Sequence, residues 1–216
     1  MCTIAAKYIP DYGWVGVKNR DRKSEMNIVM FGPPAAGKGT QAKKLVSKHS
    51  LLQLSTGDML RQARASGTEL GGKVSGIMDR GELVSDEIVI SLIEEQISSN
   101  KDNRGFIFDG FPRTVAQAEA LDALMGLYDS QIDVVVSLKV DDSSLINRIT
   151  KRFKEEGRAD DNPESFKVRL NAYNTQTASL LPYYLSQRKL HEVDGMLSIN
   201  EVSVLINEAL KNKNKE

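Results

Sequence analysis

Apolar and polar positions alternate in blocks along most of this chain. Residues 27–31 form a short apolar run closed by Gly32 and Pro33, the mark of a buried strand. Residues 37–49 follow with Ala42, Leu45 and Val46 at helical spacing. A second apolar run covers 51–54, and 56–65 and 70–80 read as helices. Ser85 can cap a helix whose first turn carries Asp86 and Glu87, acids well placed for the helix dipole, with Val89, Leu92, Ile93 and Ile97 facing inward. Strands at 105–109 and 132–140 bracket a helix at 114–128. The helix predicted at 142–153 carries Leu145, Ile149 and Phe153 on one stripe. Asn162 and Pro163 form a cap followed by an N1 proline. Phe166, Leu170, Tyr173, Leu180 and Tyr184 continue at helical spacing, and Pro182 is expected to kink that helix. A fifth strand is expected at 190–193. Ser198 and Glu201 make a capping box for a last helix at 202–210, before a polar tail.

Short apolar strands alternating with helices predict a parallel, doubly wound α/β sheet. Ligands in such sheets sit beyond the carboxyl ends of the strands, so the chemistry is expected in the loops that follow them. Residues 1–25 stand apart. They hold Trp14, a turn-like Pro10-Asp11-Tyr12-Gly13 and a charged stretch from Lys18 to Glu25, and Met26 follows just before the first strand. They read as an appended segment or as sequence ahead of a true start at Met26. An alternative gives Cys2 the role of an N-terminal nucleophile once Met1 is removed.

Composition narrows the picture. At 216 residues the chain is one large domain or one domain with additions. Lys and Arg balance Asp and Glu, 29 against 29, which predicts neither a generic nucleic-acid binder nor a polybasic membrane protein. One cysteine excludes an internal disulfide framework and a cysteine-rich zinc site. With no long apolar run and no secretory signal pattern, a cytoplasmic location and a monomeric state are expected.

The first loop after a strand reads Gly32-Pro33-Pro34-Ala35-Ala36-Gly37-Lys38-Gly39-Thr40, with the spacing of a P-loop. Backbone N–H groups there line a concavity at a helix N-terminus and face an anion with the dipole behind them. Gly37 lets the backbone approach a phosphate, and Lys38 adds a positive charge over the β and γ phosphates. A standard P-loop places Ser or Thr directly after the lysine to hold Mg²⁺. Here Gly39 stands in that place and Thr40 follows, so a metal would be held mostly by phosphate oxygens and water.

Gly-Lys-Gly-Thr in that loop resembles the nucleoside monophosphate kinases. Leu54-Ser55-Thr56-Gly57-Asp58-Met59-Leu60-Arg61 adds to the match, as does Gly105-Phe106-Ile107-Phe108-Asp109-Gly110-Phe111-Pro112-Arg113-Thr114 with Gln117. Gly157-Arg158-Ala159-Asp160-Asp161-Asn162 and Arg169 complete it. Together they look like the adenylate kinases from Met26 to about Leu210. Ala35 departs from the glycine usual in that family, and residues 1–25 have no counterpart there.

The resemblance implies a three-layer P-loop fold with a five-stranded parallel sheet, a helical AMP-binding arm at 56–85 and a lid at 153–161 within a catalytic unit at 26–211. It implies the reaction Mg·ATP + AMP ⇌ 2 ADP. Such transfer needs positioning and charge neutralisation more than a general base, in keeping with two histidines, His49 and His191, that lie outside every motif. In the family's terms Arg148 packs against the ATP base, and Leu197 meets it through a backbone carbonyl. Arg152, Arg158 and Arg169 reach the transferring phosphates. Arg61 and Arg113 clamp the AMP phosphate. Glu82, Leu83, Val84, Gly110, Phe111 and Pro112 flank AMP, with a cis Phe111-Pro112 bond. Asp109, at the end of an apolar strand, resembles a Walker B aspartate that holds Mg²⁺ through water. Read alone, these arginines are also compatible with surface positions, and Asp109 with a turn.

Gln117 can donate and accept at an adenine edge, and Thr56 can add a hydroxyl. Uridylate/cytidylate kinases typically carry asparagine and alanine in the corresponding places, so AMP is favoured over UMP or CMP. The few residues between Arg152 and Arg158 leave no room for the β subdomain, sometimes zinc-bearing, of long-lid relatives. This is the short-lid pattern, with no zinc expected. Two readings stay open beside it: another nucleoside monophosphate kinase, and a non-catalytic nucleotide-binding module whose N-terminal segment covers the site.

Overall fold

The computed structural model describes residues 5–9, 13–17, 26–157 and 161–212. Strands β1 (Ala5–Ile9) and β2 (Gly13–Val17) pair antiparallel as a hairpin ahead of the main fold. Cys2, the turn at 10–12 and the charged stretch after Val17 lie outside the described residues.

The main sheet holds β3 (Ile28–Phe31), β4 (Leu52–Ser55), β5 (Phe106–Asp109), β6 (Val134–Lys139) and β7 (Leu190–Asp194). All are parallel, in the order β4-β5-β3-β6-β7. Strand β3 is therefore central, and the chain leaves it toward β4 on one side and reaches β6 on the other. This reversal opens a crevice at the carboxyl end of β3. Every residue of β3 is buried, as a strand with helices on both faces requires.

The period-2 alternation of β3 divides the core. Val29 and Phe31 face one layer with Phe106, Phe108 and Val135. Against them pack α4 (Asp86–Ser99) through Val89, Ile93 and Ile97, α5 (Val115–Leu127) through Leu121 and Met125, and α8 (Leu180–Ser186) through Leu180 and Tyr184. Ile28 and Met30 face the opposite layer, where α1 (Lys38–His49), α6 (Asp142–Glu156) and α9 (Ile199–Asn212) pack. The arm is built from α2 (Thr56–Ala65) and α3 (Glu69–Asp79), joined by an Arg64–Asp79 ion pair at 2.7 Å. No helix among the described residues is long and apolar enough to cross a membrane.

Several expectations change in detail. Helix α6 runs on to Glu156, so the segment expected as a lid loop from 153 is helical for its first residues. Lys151 pairs with Glu155 one turn on, and Gly157 at φ 62° supplies the left-handed cap that ends the helix. Phe153, placed on the inner stripe, is 42% exposed, whereas Leu145 and Ile149 of the same helix are buried. The helix is interrupted at Ala178 and Ser179, the first of them four residues before Pro182, where the missing proline N–H would have bonded. After α7 (Pro163–Ala172) the helix widens into a π stretch at Tyr173–Thr177, and Pro182 sits in the first turn of α8, where a missing N–H costs nothing. Ser85 stands at the N-cap of α4, but its hydroxyl makes no cap bond and instead engages Glu87. The capping box of α9 is present: Ser198 N–H donates to Glu201 at 3.0 Å, and Glu201 N–H to the Ser198 hydroxyl at 3.3 Å.

Candidate active site

The loop from Gly32 to Thr40 turns over the end of β3 with the backbone that its glycines predict. Gly32 has φ 144°, and a Cβ there would stand 3.1 Å from the Leu138 carbonyl of β6. Gly37 has φ 100° and delivers the chain into α1. Ala35 adopts φ 65°, a left-handed conformation that costs an alanine on the order of 1 kcal/mol. The lysine that begins α1 folds back over the loop: Lys38 Nζ donates to the carbonyls of Gly32 at 2.6 Å and Pro33 at 2.9 Å. Desolvation pushes its ammonium group down to about 8 from an ordinary 10.5; Asp109 pulls it up, and Arg113, Arg169 and Arg152 push it further down.

A cleft of about 540 Å³ opens in front of this loop. Ala35, Ala36, Gly37, Lys38, Gly39 and Thr40 form its floor. Arg148 and Leu197 form one end. The Arg148 guanidinium is held by the carbonyls of Ala36 at 3.2 Å and Gly195 at 2.8 Å, tying α6 to the loop and to the turn after β7. Arg152 and Arg169 line the roof and converge on one carboxylate. Asp161 is 1% exposed and accepts from Arg152 at 2.5 and 2.6 Å and from Arg169 at 3.0 Å. Burial alone would raise the Asp161 carboxyl, but the two guanidinium groups outweigh it and hold it below its usual range. Arg158 lies outside the described residues.

Asp109 ends β5 at the same cleft and accepts from Gln53 Nε2 at 3.0 Å. Its Oδ2 lies 3.6 Å from where a Cβ on Gly39 would stand, so carboxylate and loop are adjacent. Among the described residues no group of three or more His, Cys, Asp or Glu could hold a metal. One carboxylate beside an anion cradle fits an ion that arrives on a nucleotide's phosphates rather than one caged by protein.

A smaller pocket adjoins the cleft between the arm and the sheet. Thr56, Arg61, Glu82, Leu83, Val84, Gly110, Arg113, Gln117 and Arg169 line it, with Leu60, Met78 and Val89 as apolar walls. Arg61 pairs with Asp58 at 2.5 Å, and Arg113 Nε donates to the Gly110 carbonyl at 2.8 Å. The Phe111-Pro112 bond is cis. Phe111 is buried in the core, and Pro112 faces a neighbouring cavity, so these two support the pocket rather than line it. The Glu82 carboxylate makes a bidentate pair with Arg80 at 2.9 and 2.7 Å.

The adenylate kinase family profile matches residues 30–189. The chain belongs to the adenylate kinase family. It is 66% identical over 185 residues to a protein named adenylate kinase from Phenylobacterium zucineum, covering 86% of this chain and 97% of that protein. A namesake from Caulobacter vibrioides is 61% identical over 186 residues, with the same coverage. One from Maricaulis maris is 56% identical over 188 residues, covering 87% of this chain and the whole of that protein. As an adenylate kinase the chain is a phosphotransferase, and the five-stranded parallel sheet under a P-loop is the fold that the sequence resemblance implied.

Three residues emerged only with the adenylate kinase fold in view. Asp86 accepts from Thr114 Oγ1 at 2.9 Å and from Gln117 Nε2 at 2.7 Å. Gln53 orients Asp109. Ser165, 2% exposed, donates to the Asp79 carbonyl at the end of the arm. Each contact joins elements far apart in the chain, so no spacing in the sequence signals it.

Proposed function

We propose that the large cleft holds Mg·ATP, the smaller pocket holds AMP, and the boundary between them is where the phosphoryl group passes. One observation carries this reading: Lys38, Arg61, Arg113, Arg148, Arg152 and Arg169 border a single cleft at the carboxyl edge of the sheet, although they come from four different helices and the loop after β5. Two phosphate tails that meet must overcome their mutual repulsion, and preorganised cations in a dry site stabilise the transferring group more than water does. The planar fork of arginine matches phosphate oxygens in pairs.

In this reading the amides of the Gly32–Thr40 loop and Lys38 hold the β and γ phosphates. Arg148 walls the ATP base, and Leu197 borders it. Arg152 and Arg169 face the transferring group with Arg158, and Arg61 and Arg113 hold the AMP phosphate. Asp109 is the residue that would hold Mg²⁺ through water. When bound, the ion neutralises phosphate charge. Residues 56–85 act as the AMP arm, and the lid runs on from the end of α6 toward α7. No proton acceptor is needed, because the attacking AMP oxygen is already ionised at neutral pH.

The test is a coupled ADP assay with Mg·ATP and a panel of nucleoside monophosphates, on the full chain and on a chain starting at Met26. Turnover is expected with AMP above all others in both. Greater turnover with UMP or CMP would reject the AMP assignment.

A further inference from the structure

The polarity of the AMP pocket is set by a residue that does not line it. Gln117 is 2% exposed, and its side-chain amide has both ends engaged. Oε1 accepts the Arg113 backbone N–H at 2.7 Å, and Nε2 donates to Asp86 Oδ1 at 2.7 Å. An amide has nearly the same shape when its oxygen and nitrogen are exchanged, so hydrogen bonding alone decides which way it lies. A backbone N–H only donates, and an ionised carboxylate only accepts. The exchanged orientation would set donor against donor at Arg113 and acceptor against acceptor at Asp86. One orientation therefore survives. Among the described residues Nε2 has no second acceptor, so its other N–H is left for the pocket that Gln117 borders.

Thr56 supplies the opposite polarity. Its hydroxyl donates its single proton to the Gly110 carbonyl at 2.9 Å, so toward the pocket it can only accept. Together the Gln117 and Thr56 side chains then offer one donor and one acceptor. The ring nitrogen and exocyclic amine of an adenine edge take that pair. Guanine, with a carbonyl and an N–H in the equivalent places, presents the reverse.

We propose that Asp86 is a positioning residue for base selection, fixing the Gln117 amide with its donor toward the nucleobase so that 6-aminopurine monophosphates are accepted and 6-oxopurine monophosphates refused. Its second oxygen holds Thr114 Oγ1, which also caps α5 by accepting Gln117 N–H at 3.2 Å. The carboxylate thus aligns the helix start and the reading side chain together. Asparagine at position 86 removes this constraint, because its own amide can turn either face to Gln117. A site whose hydrogen bonds are fixed discriminates far more sharply than one whose groups can rearrange.

The inference rests on the AMP reading of the pocket, and the experiment separates the two. Steady-state rates are measured on the full chain with Mg·ATP and either AMP or GMP, for wild type and for Asp86→Asn. The variant is expected to lose about tenfold in kcat/KM for AMP, through KM, with KM for ATP unchanged. Its preference for AMP over GMP should narrow by at least about tenfold. In a Gln117→Ala background the same change should leave the preference where it is, since Asp86 acts only through that amide. A preference unmoved by Asp86→Asn, or moved further in the Gln117→Ala background, overturns the role of Asp86. A wild type that uses another monophosphate better than AMP sinks the AMP reading instead. Should Asp86→Asn fail to fold, the wild-type protein answers through its side-chain amide NMR signals. Gln117 should show one proton shifted downfield and slow to exchange before nucleotide is added, and the other moving as AMP is titrated. Two equivalent protons indifferent to AMP would refute the assignment.

Discussion

Lys38 shows how a single residue trades stability for chemistry. Its ammonium group is partly desolvated before any substrate arrives, and two loop carbonyls are its only described hydrogen-bond acceptors. In the unfolded chain the same group holds its proton up to about pH 10.5, whereas in the folded chain it lets go near 8. The unfolded state therefore binds more protons between those values, and stability rises with pH across that window. We expect Lys38→Met to lower kcat by about a thousandfold, while resisting urea at pH 7 better than wild type by roughly 1 kcal/mol. That advantage should shrink as the pH is taken from 8 toward 10.5, and paired urea titrations at pH 7 and pH 10 would measure it. Lys38 was legible in the sequence because the P-loop spacing fixes its place. The role of Asp86 was not. As a residue in the first turn of α4 it reads as a dipole acid, and only the packing of α4 beside the start of α5 brings it to Thr114 and Gln117.

Between elements, the end of the arm meets α7 through a close backbone approach. Gly81 has φ 75°, and a Cβ there would stand 2.4 Å from the Ser165 carbonyl, too near for any side chain. Ser165 donates to the Asp79 carbonyl beside it, and Asn162 holds Ser165 from the other side, its Nδ2 donating to the Ser165 hydroxyl at 2.9 Å. Asp161, which gathers Arg152 and Arg169, precedes Asn162 in the chain. The α2–α3 arm and the Arg152–Arg169 cation pair thus share one short run of residues. Gly81→Ala should destabilise the fold by roughly 3 kcal/mol, from strain and overpacking together. Ser165→Ala should cost about 1–2 kcal/mol, leaving a carbonyl unpaired. Thermal melts of both would check the order, which reverses if the contact is loose. Strands were legible to within a residue or two because short apolar runs closed by glycine or acid have few other readings. The π stretch at Tyr173–Thr177 was not, since its residues keep the apolar spacing of an ordinary helix. The β1–β2 hairpin was also missed. Ala5–Ile9 and Gly13–Val17 carry only weak alternation, and their pairing is a property of the two strands together.

For the whole molecule, the sheet gathers the charged loops at one edge, and the cleft of about 540 Å³ in front of them is open to water. Transfer to AMP rather than to water requires that the opening close. Adding a bisubstrate dinucleoside polyphosphate should reduce the radius of gyration in small-angle scattering and raise the melting temperature. A saturated complex that scatters as the free protein does would contradict closure by the arm and the lid. The class of fold was legible at this scale because alternation of strand and helix leaves few topologies. The pairing of the arginines was not: charge and spacing alone do not show that Asp161 gathers Arg152 and Arg169.

The lowered proton affinity of Lys38 also reaches beyond the loop that holds it. A triphosphate seated there draws the lysine back toward full charge, so nucleotide capture near pH 8 becomes a reaction that consumes hydrogen ions from the medium. Titration calorimetry of Mg·ATP binding at pH 8, in buffers of differing ionisation enthalpy, should then give different heats for the same event, and Lys38→Met should remove the spread between them.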